Sequence, residues 1–62
     1  MERTIIEENN YEVIEVVSDT DRLSLVRKFR KGKETYHRRV IILNHRQVQA
    51  LVSVAKEWLD NY

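Results

Sequence analysis

The chain has 62 residues, with no cysteine, no proline and one glycine. A chain of this length has room for one domain and buries only about 60% of the surface it exposes when unfolded, so oligomerisation is a direct way to enlarge its core. The lack of cysteine excludes a disulfide framework and a thiolate metal site. No apolar run is long enough for a signal peptide or a membrane span. We expect one cytoplasmic domain over residues 1–62, with no membrane partner.

The charges of this chain are divided along its length. Residues 22–46 carry nine Lys or Arg and a single acid, Glu34, for a formal charge of +8. Residues 1–21 carry seven acids against Arg3 alone, for a formal charge of −6. The basic segment also contains Phe29 and Tyr36, and basic side chains interleaved with aromatic ones bind phosphates and stack bases. The composition therefore favours nucleic-acid binding.

The first part of the chain predicts two antiparallel strands. Residues 4–8 form a short candidate strand, and Asn9 and Asn10 suit a tight reversal because Asn tolerates positive φ. Residues 11–18 are rich in β-branched side chains and carry apolar residues on both faces, which indicates an inner strand. The turn-forming residues of segment 18–21 then reverse the chain.

Residues 22–30 alternate between two faces of a third predicted strand. One face carries Leu23, Leu25, Arg27 and Phe29, and the other, more basic face carries Arg22, Ser24, Val26, Lys28 and Arg30. Gly32 supplies the residue that a tight hairpin needs where φ must be positive, so residues 31–33 predict a second reversal. Residues 34–43 form the fourth strand.

Residues 44–61 predict the only helix. Asn44 and Gln47 match a capping box, and Leu43 with Val48 matches a hydrophobic staple. Apolar residues recur with a 3.6-residue period along one stripe. The fold class is therefore α+β: an antiparallel β-meander of three or four strands followed by one C-terminal helix.

The apolar stripe of the helix is too wide for one small sheet to cover. We therefore predict a homodimer in which a second subunit covers the remainder. The residues of the stripe, which form the predicted dimer interface, are Val48, Leu51, Val52, Ala55, Trp58, Leu59 and Tyr62.

Nucleic-acid binding competes with a second hypothesis for the basic segment. In the alternative, the cations pair across strands with Glu7, Glu8, Glu12 and Glu15, and the chain is a protein-interaction or dimerisation module with no nucleic-acid role. We expect some positive surface to remain, with single-stranded DNA as the favoured ligand. The candidate binding residues are Arg22, Arg27, Lys28, Arg30, Lys31, Lys33, Tyr36, Arg38 and Arg39. Phe29 shares a face with leucines and is expected in the core, whereas Tyr36 is the better stacking residue.

The sequence predicts no catalytic or metal-binding residues. His37 and His45 have no cysteine or carboxylate at ligand spacing. The serines lack a neighbouring His–acid pattern, and Glu7 and Glu8, adjacent in a strand, point to opposite sides. One glycine cannot build a phosphate-binding loop. We expect no enzymatic activity, no cofactor and no small-molecule substrate.

Two stretches of the chain resemble the single-stranded-DNA-binding domain of the positive-cofactor-four transcriptional coactivators, relatives of the Whirly proteins. Residues 25–33 are similar to that family's Arg-x-Phe-Lys-Gly-Lys strand end, and residues 41–44, followed by Gln47 and Leu51, are similar to its entry into the C-terminal helix. The resemblance implies transcription regulation by a homodimer joined partly through helices, with strands forming channels for unpaired DNA. The implied DNA-binding residues are Arg27, Lys28, Phe29, Lys31 and Lys33.

Overall fold

The computed structural model describes residues 1–30 and 36–62. Four strands form one antiparallel sheet in chain order, and a helix follows. The elements are β1 (Glu2–Glu8), β2 (Glu12–Ser18), β3 (Leu23–Arg30), β4 (Tyr36–Leu43) and α1 (His45–Asn61). The predicted α+β meander is confirmed, with four strands. The hairpin predicted at residues 31–33 and the first two residues of the predicted fourth strand lie outside the described residues.

Short polar side chains form the first two turns. The Asn9 Oδ1 accepts hydrogen bonds from the backbone N–H groups of Tyr11 (2.8 Å) and Glu12 (3.0 Å). In the second turn the Asp19 N–H donates to the carbonyl of Arg22 at 2.9 Å, and the Asp19 carboxylate accepts from the Thr20 N–H at 2.8 Å. These local bonds satisfy backbone groups that leave the strand ladders, so both reversals occur where the sequence predicts them.

The sheet has two faces with different side chains. In the central row of one face, Ile5, Glu15, Val26 and Val40 lie side by side. We call this face A; it carries the odd-numbered residues of β2 and the even-numbered residues of β3 and β4. Face B carries the alternate residues of the same three strands. The predicted division of β2 and β3 into two faces is confirmed.

The sheet is a single layer with little enclosed core. The chain measures 38 × 31 × 15 Å. Among the described residues, Val26 is the only buried hydrophobic side chain and Glu15 the only buried polar one. Both lie on face A, and no part of α1 is buried. Each face of the sheet is therefore open to a ligand or to another protein.

Helix α1 begins at a capping box, as predicted. The Asn44 Oδ1 accepts from the Gln47 N–H at 2.9 Å, and the Gln47 Oε1 accepts from the Asn44 N–H at 2.9 Å. These bonds satisfy two donors at the helix start. Within the described part of the chain, no helix combines the length and apolar character needed to cross a membrane.

The apolar stripe of α1 is exposed within one chain. Val48, in the first turn, is partly covered, but every later helix residue is exposed. We expected the sheet of the same chain to cover part of this stripe, and Val48 is the one stripe residue that is partly covered. The helix follows the edge strand β4, and its first turn lies near the turn between β2 and β3, where the His45 Nε2 is 3.4 Å from the Thr20 carbonyl oxygen. From residue 49 onward the helix covers neither face.

Candidate nucleic-acid interface

One end of face A carries an arginine and a tyrosine that contact each other. Arg30 and Tyr36 are direct cross-strand partners on β3 and β4. The Arg30 Nε donates to the Tyr36 hydroxyl at 3.0 Å, and its guanidinium carbon lies 5.2 Å from the ring centroid. The hydrogen bond restrains the Tyr36 ring, and Tyr36 remains 68% exposed. An oriented, exposed aromatic side chain next to a cation is suited to stacking an unpaired base.

The next row of face A places two cations opposite each other. Lys28 and Arg38 are cross-strand partners, an arrangement that is destabilising for like charges unless another group compensates. Glu15 supplies that compensation, because its Oε1 lies 3.2 Å from the Lys28 Nζ. Its Oε2 also lies 3.5 Å from the Arg3 Nε. Arg38 forms no ion pair with any residue of segments 1–30 and 36–62.

The two faces differ in their charge balance. The strand residues of face A include four cations and two carboxylates, whereas those of face B include two cations and three carboxylates. The face A residues are Arg3, Lys28, Arg30 and Arg38 with Glu8 and Glu15. The face B residues are Arg27 and Arg39 with Glu2, Glu7 and Glu12. The described strand residues therefore give face A a net charge of +2 and face B a net charge of −1.

On face B, an arginine, a phenylalanine and a histidine form a stack. The guanidinium carbon of Arg27 lies 4.7 Å from the centroid of Phe29, and the rings of Phe29 and His37 are stacked with their centroids 5.4 Å apart. The Arg27 Nε also bonds to the Glu12 Oε2 at 2.8 Å. Phe29 is thus partly covered by two polar neighbours instead of lying in a closed core, because no second layer covers face B.

The structure separates the predicted binding residues into groups. Lys28, Arg30, Tyr36 and Arg38 come together on face A, whereas Arg27 and Arg39 lie on face B. Arg22 precedes β3 and lies at the other end of that strand, about 26 Å from Arg30 at the usual rise per residue. Lys31 and Lys33 lie outside the described residues. The candidate interface is therefore the face A group.

Tyr11 is a candidate residue that the sequence reasoning missed. It is 76% exposed. It lines a shallow depression of about 150 Å³ whose wall also includes Lys28 and Tyr36. Its carbonyl accepts the Arg30 N–H at 2.9 Å, so Tyr11, just before β2, and Tyr36 on β4 flank Arg30. The signal was available in the sequence, because Tyr11 immediately follows a reversal and alternates with Val13 and Glu15.

An apolar depression of about 290 Å³ lies on face B. It is lined by Ile14, Leu25, Val26 and Ile41 together with Arg27 and Arg39. Together with the stripe of α1, it gives each chain two exposed apolar surfaces. Exposed apolar patches of this kind mark interaction sites in folded proteins.

The described residues hold no group of three His, Asp or Glu side chains arranged to bind a metal ion. Comparison with known proteins finds no matching family, no similar curated protein and no similar solved structure.

Proposed function

We propose that this protein binds single-stranded nucleic acid, with DNA favoured, through face A of a homodimer. One observation supports the proposal most strongly: the Arg30–Tyr36 pair lies beside Lys28 and Arg38 on a sheet face that no other described element covers. Cations supply attraction to the phosphate backbone, and an exposed aromatic ring supplies a stacking surface. The same combination is the basis of sequence-independent single-strand binding.

The geometry favours a single strand over a duplex. Tyr36 can stack only on a base whose face is free, and bases in a duplex are already stacked on one another. The cations lie on an open sheet, whereas duplex readers commonly insert a helix into the major groove. The mainly apolar exposed stripe of α1 is unsuited to a polyanion. We therefore assign the ligand to the sheet.

The homodimer follows from the apolar surfaces that one chain leaves uncovered. Leu51, Trp58 and Leu59 are 45–67% exposed, although they lie on the apolar stripe of a well-capped helix. A chain of 62 residues in which the described part buries one hydrophobic side chain has too little core for independent stability. Pairing of the stripes, or of a stripe with the face B depression of a second copy, supplies the missing burial.

A binding titration against salt tests the proposal. Fluorescence anisotropy of a labelled oligothymidylate should show affinity that falls with salt, with a logarithmic slope of about −0.7 for each neutralised phosphate. Arg38→Glu should weaken binding at low salt by about tenfold or more, because it reverses a cation on face A. Arg46→Glu is the matched control, since it makes the same charge change in the exposed first turn of α1.

Each outcome of the titration has a distinct meaning. Loss of affinity in Arg38→Glu, with Arg46→Glu close to wild type, supports face A as the interface. Equal losses in both variants would mean that net charge alone governs binding. Absence of binding, or a flat salt response, would favour the alternative in which the charged surfaces recognise a partner protein.

A further inference from the structure

The backbone of β4 has a row of hydrogen-bonding groups directed away from the sheet. The Arg30 N–H donates to the Tyr11 carbonyl and the Asp19 N–H to the Arg22 carbonyl, both at 2.9 Å, so even-numbered residues of β3 bond to β2. Antiparallel pairs alternate, so odd-numbered residues of β3 bond to β4. On β4 it is then the odd-numbered residues that bond inward. The backbone N–H and C=O groups of Arg38, Val40 and Ile42 therefore point outward.

Over residues 40–42 this outer edge carries no charged side chain, unlike the opposite edge of the sheet. Strand β4 pairs with β3 in unbroken register over eight residues. Its residues Val40, Ile41 and Ile42 are 42%, 58% and 54% exposed. Strand β1 is interrupted by a bulge between Ile5 and Glu7 and carries three glutamates, features that block edge pairing.

We infer that β4 pairs antiparallel with β4 of a second copy, about a two-fold axis at Ile41. The two four-stranded sheets then form one continuous sheet. The inference rests on the homodimer of the proposed function and names the seam of that dimer. A second copy of the chain suits the outer edge of β4 because an antiparallel strand pair is self-complementary under two-fold symmetry.

The outward N–H and C=O groups of β4 allow more than one antiparallel register between the two copies. The side chains favour the register with its axis at Ile41. An axis at Ile41 places Val40 opposite Ile42 of the second copy and Ile41 opposite Ile41 of the second copy. All three exposed apolar residues then lie at the seam. An axis at Val40 would place Arg39 opposite Ile41 of the second copy, and an axis at Arg39 would place the two Arg39 side chains opposite each other, which like-charge repulsion disfavours.

The seam also joins the two candidate interfaces. Directly paired residues of an antiparallel ladder share a face, so the face A surfaces of both copies lie on the same side of the sheet. The two Arg38 side chains are then about 20 Å apart along the strands, as six residues of strand rise require. Both copies of α1 begin beside the seam, which continues the contact proposed for their apolar stripes.

Amide hydrogen exchange measured by NMR on the full chain tests the seam. In the proposed dimer, the amides of Val40 and Ile42, which pair with each other across the seam, should exchange as slowly as those of Ile41 and Leu43. In a dimer joined only through α1, the outward amides should exchange at least about tenfold faster than the inward ones. That result, with a dimer in sedimentation equilibrium, would overturn the seam and leave the homodimer intact. A monomer in sedimentation would overturn both.

A proline variant provides a second, independent readout. Val40→Pro removes an outward N–H while leaving the inward β3–β4 bonds in place, so it should raise the dimer dissociation constant by at least about a hundredfold. Arg3→Pro makes the equivalent change at an outward position of β1 and should remain dimeric. If Val40→Pro is dimeric at the same concentration as wild type, β4 is not the seam. If Val40→Pro does not fold, the exchange pattern of the wild type decides alone.

Discussion

Lys28 and Glu15 form an ion pair on face A in which the lysine Nζ lies 3.2 Å from the glutamate Oε1. The glutamate is 6% exposed and lies in the central row of the sheet. The pair connects the acidic first part of the chain to its basic middle, so part of the basic charge is neutralised inside the fold. Among the described residues, Arg30 and Arg38 are then the face A cations that form no ion pair.

Removal of the Glu15 charge should strengthen nucleic-acid binding. Glu15→Gln deletes a carboxylate near the proposed path of the phosphates, so the affinity for oligothymidylate should rise about two- to threefold at low salt. The unfolding free energy should fall, because Lys28 and Arg38 then face each other without a compensating carboxylate. Glu12→Gln frees Arg27 on face B and serves as the control. An equal gain in both variants would show that the faces are not distinguished.

The two aromatic residues of the basic segment should respond differently to truncation. Tyr36→Ala should leave the melting temperature nearly unchanged and weaken single-strand binding by roughly 1–3 kcal/mol, because its exposed ring is a stacking surface. Phe29→Ala should cost roughly 1–2 kcal/mol of stability, since its ring is only partly covered. Thermal melts and anisotropy titrations on both variants measure these effects.

The opposite pattern would contradict the assignment of the faces. If Tyr36→Ala unfolds the protein while Phe29→Ala melts like the wild type and loses affinity, the ligand surface lies on face B. The stack of Arg27, Phe29 and His37 would then be the binding platform.

The capping box should contribute measurably to stability. Asn44→Ala removes the acceptor of the Gln47 N–H and should lower the unfolding free energy by about 1 kcal/mol. Asn61→Ala is a matched control at the other end of α1, where the side chain only donates to the Glu57 carbonyl from an exposed position. Denaturant titrations followed by circular dichroism compare the two variants. Equal destabilisation would remove the special role assigned to the cap.

A charge placed on the apolar stripe should dissociate the dimer. Leu51→Glu buries a carboxylate in the proposed interface and should shift the sedimentation profile toward the 7.5 kDa monomer. Gln49→Glu introduces the same charge at an exposed polar position of the helix and should leave the dimer intact. A wild-type protein that sediments only as a monomer at micromolar concentration would refute the homodimer directly.

Much of the fold could be predicted from local patterns. The β-branched alternation of β2, the Asn and Asp turns and the Asn44–Gln47 box each depend on neighbouring residues, so they were predicted correctly. The docking of α1 could not be predicted in this way. Amphipathic periodicity shows that a helix has an apolar face but does not show which surface covers it, and in one chain α1 remains uncovered.

The composition of the site was harder to predict because it depends on cross-strand register. Alternation along β3 is enough to place Lys28 and Arg27 on opposite faces of the sheet. Only the register between strands places Arg30 opposite Tyr36 and brings Glu12 within hydrogen-bond distance of Arg27. Register is determined by pairing between strands far apart in sequence. Tyr11 was missed for the same reason, since its proximity to Lys28 and Tyr36 arises only when β2, β3 and β4 are assembled.

Binding of single-stranded DNA through face A is tested most directly by an NMR titration that follows the arginine Nε–Hε signals as oligothymidylate is added. The proposed interface predicts that the signals of Arg30 and Arg38 shift with saturation, while those of Arg27 and Arg39 on the opposite face stay in place. All four signals come from one sample, so the two faces are compared at the same ligand concentration. Shifts confined to Arg27 and Arg39, or no shift in any of the four signals, would contradict binding through face A.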